Sequence, residues 1–244
     1  MIITRARRPL LRGRWANLLL LNYDAPPGLV ERCLPPGVEP DLWQGQPQVS
    51  LAAFELLDLR LRGRRVPGYV NFPVVALRTY GRLAGERGLV SIRACVPSRV
   101  VAALGRLRFR EPFVATPLTS RVAGMADALV TEYRWRWEGE PHLLRVTGTQ
   151  TSAAPSPGCL GEHFLTPAWG FVVGRSGDTE AYRIEHAVSA VREVRSLERR
   201  VRFAQLYGDD WRFLDEQPPH SAVFAVGAPV KVYPPRPIRR SARP

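Results

Sequence analysis

Lysine is almost missing from this chain. Of its 35 basic residues, only Lys231 is a lysine, and the rest are arginine. So lopsided a ratio reads as base composition of the coding sequence, but it has a chemical consequence: any lysine nucleophile would have to be Lys231. Val230 and Val232 flank that residue. On a strand, alternation sends Lys231 away from both. If the valines face the core, the ammonium faces water, where it stays protonated at neutral pH and is a poor nucleophile. Cysteine is scarce too. Cys33, Cys95 and Cys159 are far apart, odd in number and without a CxxC pair, so neither a disulfide framework nor a zinc knuckle is indicated, and a reduced cytoplasm fits. The four histidines, His142, His163, His186 and His220, are too dispersed for a metal site. No GxGxxG, Walker loop, GxSxG elbow or HExxH occurs, and no cofactor is expected. No run reaches the eighteen or so apolar residues of a membrane span. The N-terminal arginines before WANLLLLNY imitate a signal peptide. Asn22, Tyr23 and Asp24 stand where a small-residue cleavage site should lie, so the run reads as the first strand.

What is present is a body of ordinary globular composition. The chain has 244 residues, 45% of them hydrophobic, and a formal net charge of +13. Residues 1–14 hold Arg5, Arg7, Arg8, Arg12 and Arg14 without an acid, and residues 236–244 hold Arg236, Arg239, Arg240 and Arg243. Removing these nine charges leaves 13 − 9 = +4 for residues 15–235. The expected organisation is therefore a basic N-terminal tail (1–14), one domain (15–235) and a basic C-terminal tail (236–244). Solvated termini are the plain account of the tails.

Along the chain, Trp15 to Asp24 is strand-like and apolar on both faces. Pro26-Pro27 opens a short helix, Gly28 to Leu34, with proline where a missing N–H costs nothing. Pro47 to Arg62 reads as a long strand. Ser98 is placed to cap a helix through Leu107. Pro112 to Leu118 and Ala128 to Glu138 read as strands, the second setting Tyr133, Trp135 and Trp137 on one face and Arg134 and Arg136 on the other. Such a stripe can stack single-stranded bases; burial tendencies favour an aromatic core face with arginines in water. His142 to Gln150 pairs with it as a hairpin. Cys159 to Leu165 reads as one or two helical turns. Trp169 to Gly174, Glu180 to Val188, Arg200 to Leu206, Ser221 to Val226 and Val230 to Tyr233 read as strands, with a helical turn at Tyr207 to Leu214. Many strands and few helices predict a mainly β, mainly antiparallel fold that packs on a second sheet or closes on itself.

The central hairpin is Asn71 to Val96. With a connection over Leu83 to Gly88, Arg82 faces Leu89, Tyr80 faces Ser91 and Arg78 faces Arg93. Val75, Leu77, Thr79, Val90, Ile92, Ala94 and Val96 then share the core face, and Arg78, Tyr80, Ser91 and Arg93 share the other. Two guanidinium groups directly opposite are destabilising unless solvated or bridged by an anion. The face is thus either a solvated exterior or one wall of an anion-binding cavity. Among the histidines, His186 shares a face with Tyr182, Ile184 and Val188, as an interior histidine would. His163 lies on a short helix before a Thr-Pro turn, beside Glu162, and loops at sheet ends carry function more often than strand centres.

The order of these pieces resembles the YqjF-like family of uncharacterised bacterial proteins, within the acetoacetate decarboxylase-like superfamily. The resemblance is carried by NLLLLNYDAPPGLVERCLPPGVEPDLWQG (17–45), FPVVALRTYGR (72–82), GLVSIRACVPSRVVAALGR (88–106), GCLGEHFLTPAWGF (158–171), YRIEHAV (182–188) and HSAVFAVGAPVKVYPPRPI (220–238). It implies one antiparallel, cone-like β-barrel with short helices and an interior pocket. Leu165-Thr166-Pro167-Ala168-Trp169 departs from the "LTERY" usual in the family. Acetoacetate decarboxylase forms a Schiff base through a mid-chain lysine, whose iminium accepts the electrons left by departing carbon dioxide. No lysine precedes Lys231, so those catalytic residues do not transfer. The expected function is a pocket for a small organic anion, a carboxylate or enol, without Schiff-base chemistry. Arg78 and Arg93 would be bidentate donors, Tyr80 a hydroxyl donor, and Glu162 or His163 a proton carrier at the mouth. The rivals are a lyase or hydratase acting on a small keto acid, a non-catalytic binding or structural protein, and a nucleic-acid binder. Neither nucleic acid nor membrane is expected as a partner, and a homo-oligomer is compatible with the sequence.

Overall fold

A computed structural model describes residues 2–3, 8–65, 68–187 and 190–239. The strands that build the site and its support are β1 (Leu11–Asp24), β2 (Gln46–Leu61), β3 (Phe72–Leu83), β4 (Glu86–Val96), β5 (Leu118–Gly124), β6 (Ala128–Trp137), β7 (Glu140–Thr149), β8 (Trp169–Val173), β9 (Thr179–His186), β10 (Val194–Arg200), β11 (Ser221–Ala225) and β12 (Pro229–Val232). The helices are α1 (Pro27–Cys33), α2 (Arg99–Phe109), α3 (Leu160–Leu165), α4 (Phe203–Tyr207) and α5 (Phe213–Glu216). Seven strands close a barrel in the order β8-β4-β3-β2-β1-β12-β9, with β9 pairing back onto β8. The pairs are antiparallel except β8 with β4, which is parallel. Closure removes the unpaired edges an open sheet would expose. A second sheet, β5-β6-β7-β10, packs against one side of the barrel.

That packing explains the run LLLLNY in β1. Leu18 and Leu20 point into the barrel, beside Ala52 and Phe164. Leu19, Leu21 and Tyr23 point out, into a core shared with Tyr133, Trp135 and Leu144 of the second sheet and Phe203, Leu206 and Trp211 of the α4–α5 region. Both faces of the strand are therefore dry, and an alternating polar face would be costly. The aromatic stripe of β6 is accordingly core: Tyr133 and Trp135 are buried, while Arg134 and Arg136 are exposed.

Several expected boundaries move. β1 begins at Leu11, inside the segment read as a tail, and Arg236–Arg239 forms a strand beside β9. The strand expected over Pro112 to Leu118 is split at Thr116-Pro117 into Phe113–Ala115 and β5. The strand expected at Arg200 to Leu206 is instead the end of β10 followed by α4. The Asp215 carboxylate accepts the backbone N–H groups of Phe203 and Ala204 and so starts a helix there. Val188, assigned to the His186 face, lies outside the described residues.

The β3–β4 hairpin is the important correction. Its turn is two residues, Ala84-Gly85, both at positive φ. The pairing is Tyr80 with Leu89, Arg78 with Ser91 and Leu77 with Arg93, with a bulge between the last two pairs. Such a bulge inserts one residue in one strand and reverses the facing beyond it. Arg93 therefore lies on the outer face with Leu77 and Cys95, opposite to Arg78.

Candidate functional site

The barrel encloses a cavity of about 180 Å³. Its wall is almost wholly apolar, with Leu11, Phe54, Phe72, Leu89 and Ile184 among the contributors. Arg78 on β3, Ser91 on β4, Tyr182 on β9, Tyr69, Glu111, and Arg108 of α2 are the residues there with polar side-chain groups at their ends. Arg78 is 9% exposed and forms no ion pair among the described residues; its Nε has no hydrogen-bond partner there. It is held by its surroundings: the guanidinium lies 5.7 Å from the Tyr80 ring centroid. A second, much smaller recess of about 20 Å³ adjoins it, where Arg78 meets Trp15, Leu165, Pro167 and His186.

Glu111 arrives by helix termination. The Ser98 hydroxyl accepts the N–H groups of Val100 and Val101 and starts α2. At the other end Arg110 takes a left-handed conformation, φ 57°, which reverses the chain and turns Glu111 inward. The carboxyl is 4% exposed. Its Oε1 accepts the Tyr182 hydroxyl at 2.5 Å, and its Oε2 has no partner among the described residues. Burial pushes the Glu111 carboxyl above the usual carboxylate range, and the hydroxyls of Ser91 and Tyr182 pull it part-way back. The Tyr182 phenol is pushed well above its ordinary value by burial first and by Glu111 second. Gly170, opposite Tyr182 in the β8–β9 ladder, makes room for that ring: a Cβ there would stand 2.0 Å from Tyr182 Cζ.

Of the five residues expected at the site, only Arg78 borders the cavity. Tyr80 shares its face, but the hydroxyl is taken up in a buried network with Ser50 at 2.7 Å, and Ser50 in turn donates to Asn22. Arg93 donates to the Leu206 carbonyl and lies 5.0 Å over the Trp137 ring, tying the barrel to α4 and the second sheet. Glu162 accepts the Gly158 N–H at 2.6 Å at the start of α3. His163 packs 4.6 Å from the Trp43 ring and contacts Arg87 at 2.9 Å, next to the fully buried Asp41. Burial and then Arg87 lower its pKa to about 4. His163 thus belongs to the cluster around Asp41 and Arg87, and neither it nor Glu162 lines the cavity. His186 does share the inner face with Tyr182 and Ile184, and it lines the recess beside Arg78, its ring 5.0 Å from Trp15. Glu111 escaped notice because it sits in a polar connection, Arg108-Phe109-Arg110-Glu111, that reads as a solvated turn. No group of three or more potential metal ligands is found among the described residues, and no helix there is long and apolar enough to cross a membrane.

The model of the DUF2071 family, described as an uncharacterized conserved protein, matches residues 12–229. The chain belongs to that family. It is similar to the uncharacterized protein YqjF of Bacillus subtilis (strain 168), with 27% identity over 124 residues, and this match spans about half the length of each chain. Its fold is that of the acetoacetate decarboxylase-like proteins. The acetoacetate decarboxylase of Legionella pneumophila superposes with a TM-score of 0.63 at 14% identity, covering 98% of this chain and 90% of that one. The enduracididine biosynthesis enzyme MppR, solved in complex with pyruvate, superposes with a TM-score of 0.63 at 14% identity, covering 94% and 91%. The sole lysine has no place in the cavity: Lys231 on β12 is exposed and reaches Glu185 at 3.3 Å, while Val230 and Val232 face inward.

Proposed function

We propose that the barrel cavity binds a small organic anion, a carboxylate or an enolate, with Arg78 as its anchor. The observation that carries this reading is the Arg78 guanidinium, buried in an apolar chamber with no ion pair and no partner for its Nε among the described residues. Burying a charge without a partner is costly, and an anionic ligand supplies the missing partner. A planar guanidinium matches a carboxylate through two parallel hydrogen bonds. The apolar wall suits a short hydrocarbon body, and the cavity of about 180 Å³ has room for a small one. The MppR structure with pyruvate supports the same class of ligand for this fold. Schiff-base chemistry is not part of the proposed mechanism, because no lysine lines the cavity among the described residues.

Glu111 favours a lyase or hydratase over a passive binder. A carboxyl whose pKa is raised by burial donates and recovers a proton near neutral pH more readily than an exposed one. With Arg78 holding the anion, Glu111 can protonate or deprotonate a neighbouring carbon or oxygen, and Tyr182 steadies the carboxyl. The three unpaired cysteines support a cytoplasmic setting for this activity. Calorimetric titration with pyruvate, acetoacetate and butyrate tests the binding. We expect saturable binding of at least one of them, weakened roughly ten- to a hundredfold by Arg78→Met, the range of a lost charge-assisted hydrogen bond, and unchanged by Arg93→Met. Equal binding by the wild type and Arg78→Met defeats the assignment. Deuterium exchange into the bound acid, abolished by Glu111→Gln, separates catalysis from passive binding.

A further inference from the structure

Outside the cavity, we propose a second anion site: a basic groove at the α2 end of the barrel that binds a soluble oligophosphate. Arg8, Arg12, Arg60, Arg62, Arg108 and Arg175 line it and form no ion pair with a carboxylate among the described residues. The residues outside that description, 1, 4–7, 66–67, 188–189 and 240–244, contain no acidic side chain. The one acid in the lining, Glu180, is taken by Arg110 at 2.9 Å.

The strand register concentrates this charge. Lys231, Arg12, Arg60 and Arg65 fall directly opposite one another across four consecutive strands. The outer members reach acids, Lys231 to Glu185 at 3.3 Å and Arg65 to Asp58 at 3.7 Å. Arg12 and Arg60, in the middle, do not. Like charges placed opposite in a ladder repel, and a row of them persists at least cost with a multivalent anion bridging it. The second sheet handles its charges differently. There Arg145 is held between Glu132 and Glu198, and Arg195 reaches Asp127. Arginines without an ion pair also occur on that sheet, Arg121 and Arg136 among them, but the groove gathers six on one surface.

The shape selects the partner. The groove is recessed, bounded by the outer face of β1 and β2, the end of α2, and Pro234-Pro235. A flat bilayer does not enter such a recess. No aromatic side chain lines it, so it offers no platform on which single-stranded bases stack. Guanidinium forks from several directions suit several phosphate groups of one small molecule. Arg108 borders both the groove and the barrel cavity, but the proposal does not depend on what the cavity binds.

The test is titration of the full chain at low salt with tripolyphosphate, inorganic phosphate, vesicles of phosphatidylserine in phosphatidylcholine, and a single-stranded oligonucleotide. We expect saturable one-to-one binding of tripolyphosphate, at least about tenfold tighter than inorganic phosphate. Arg12→Glu with Arg60→Glu, and separately Arg108→Glu with Arg175→Glu, should each weaken it roughly tenfold or more, the scale of one lost charge-assisted contact. Arg121→Glu with Arg136→Glu, on the second sheet, should leave it unchanged, and circular dichroism checks that each variant is folded. Absence of tripolyphosphate binding overturns the proposal. So does equal weakening by the control pair, or binding of vesicles or oligonucleotide that tripolyphosphate does not displace.

Discussion

At the residue scale, the knot around Asp41 shows how a histidine beside charged groups can be structural. Asp41 is buried and accepts Arg82 Nε at 2.5 Å and Arg87 Nε at 2.7 Å. His163 lies against Arg87 and the Trp43 ring, and its pKa falls to about 4. The unfolded chain takes up this proton near its ordinary value of about 6.5. Between the two values the unfolded state binds more protons than the native one, so acid favours unfolding there. Stability should therefore be fully supported above about pH 6.5 and fall progressively towards pH 4. Urea midpoints of the wild type and His163→Gln at several values across this window check it: the variant should show the shallower fall. Parallel curves would mean that His163 does not set the acid limit. Glu111 acts with the opposite sign. Its native state keeps a proton to higher pH than the unfolded chain does, so stability declines as pH rises past the ordinary glutamate range. Glu111→Gln should remove that decline, and a variant whose neutral-pH stability drops instead would contradict the raised proton affinity of the buried carboxyl.

At the element scale, two local features aim the cavity groups. One is the bulge in the β3–β4 hairpin, which keeps Arg78 inside and sends Arg93 out. The other is Gly170. Its missing side chain lets the Tyr182 ring lie across β8 and reach Glu111. Gly170→Ala forces the ring aside, an overpacking expected to cost about 1–3 kcal/mol. It should also weaken ligand binding without touching the ligand. Thermal melts combined with the calorimetric titration test both consequences; a variant with unchanged melting and unchanged affinity would show that Tyr182 has room to spare. The capped start of α2 was legible, because Ser98 precedes an apolar stripe. So was the alternation of β6, where aromatics and arginines separate cleanly. The bulge was not: the two-residue turn at Ala84-Gly85 moves the expected register by two and keeps the facing, whereas the extra residue, Ile92, inverts the facing of every side chain beyond it.

At the scale of the whole molecule, closure of seven strands makes a barrel whose fold the acetoacetate decarboxylase-like proteins share. Lys231 sits on the outer surface of β12, paired with Glu185. Incubation with pyruvate or acetoacetate followed by borohydride should leave Lys231 unmodified by peptide mass spectrometry, apart from any labelling of the terminal amine. A keto-acid adduct mapping to Lys231 would restore an iminium mechanism. What the sequence determined by itself was the β class, the family, the aromatic core face of β6 and the outward lysine. Each of these rests on composition, on period-two alternation or on a motif carried in one stretch. The tertiary structure alone decided which groups accompany Arg78. Glu111 follows a helix and Tyr182 lies on a strand 71 residues further along. They meet only because the barrel closes, and their altered proton affinities come from burial, which no local pattern records. The same holds for the basic groove, whose arginines come from four separate segments and whose lack of a free acid becomes visible only when those segments share one surface.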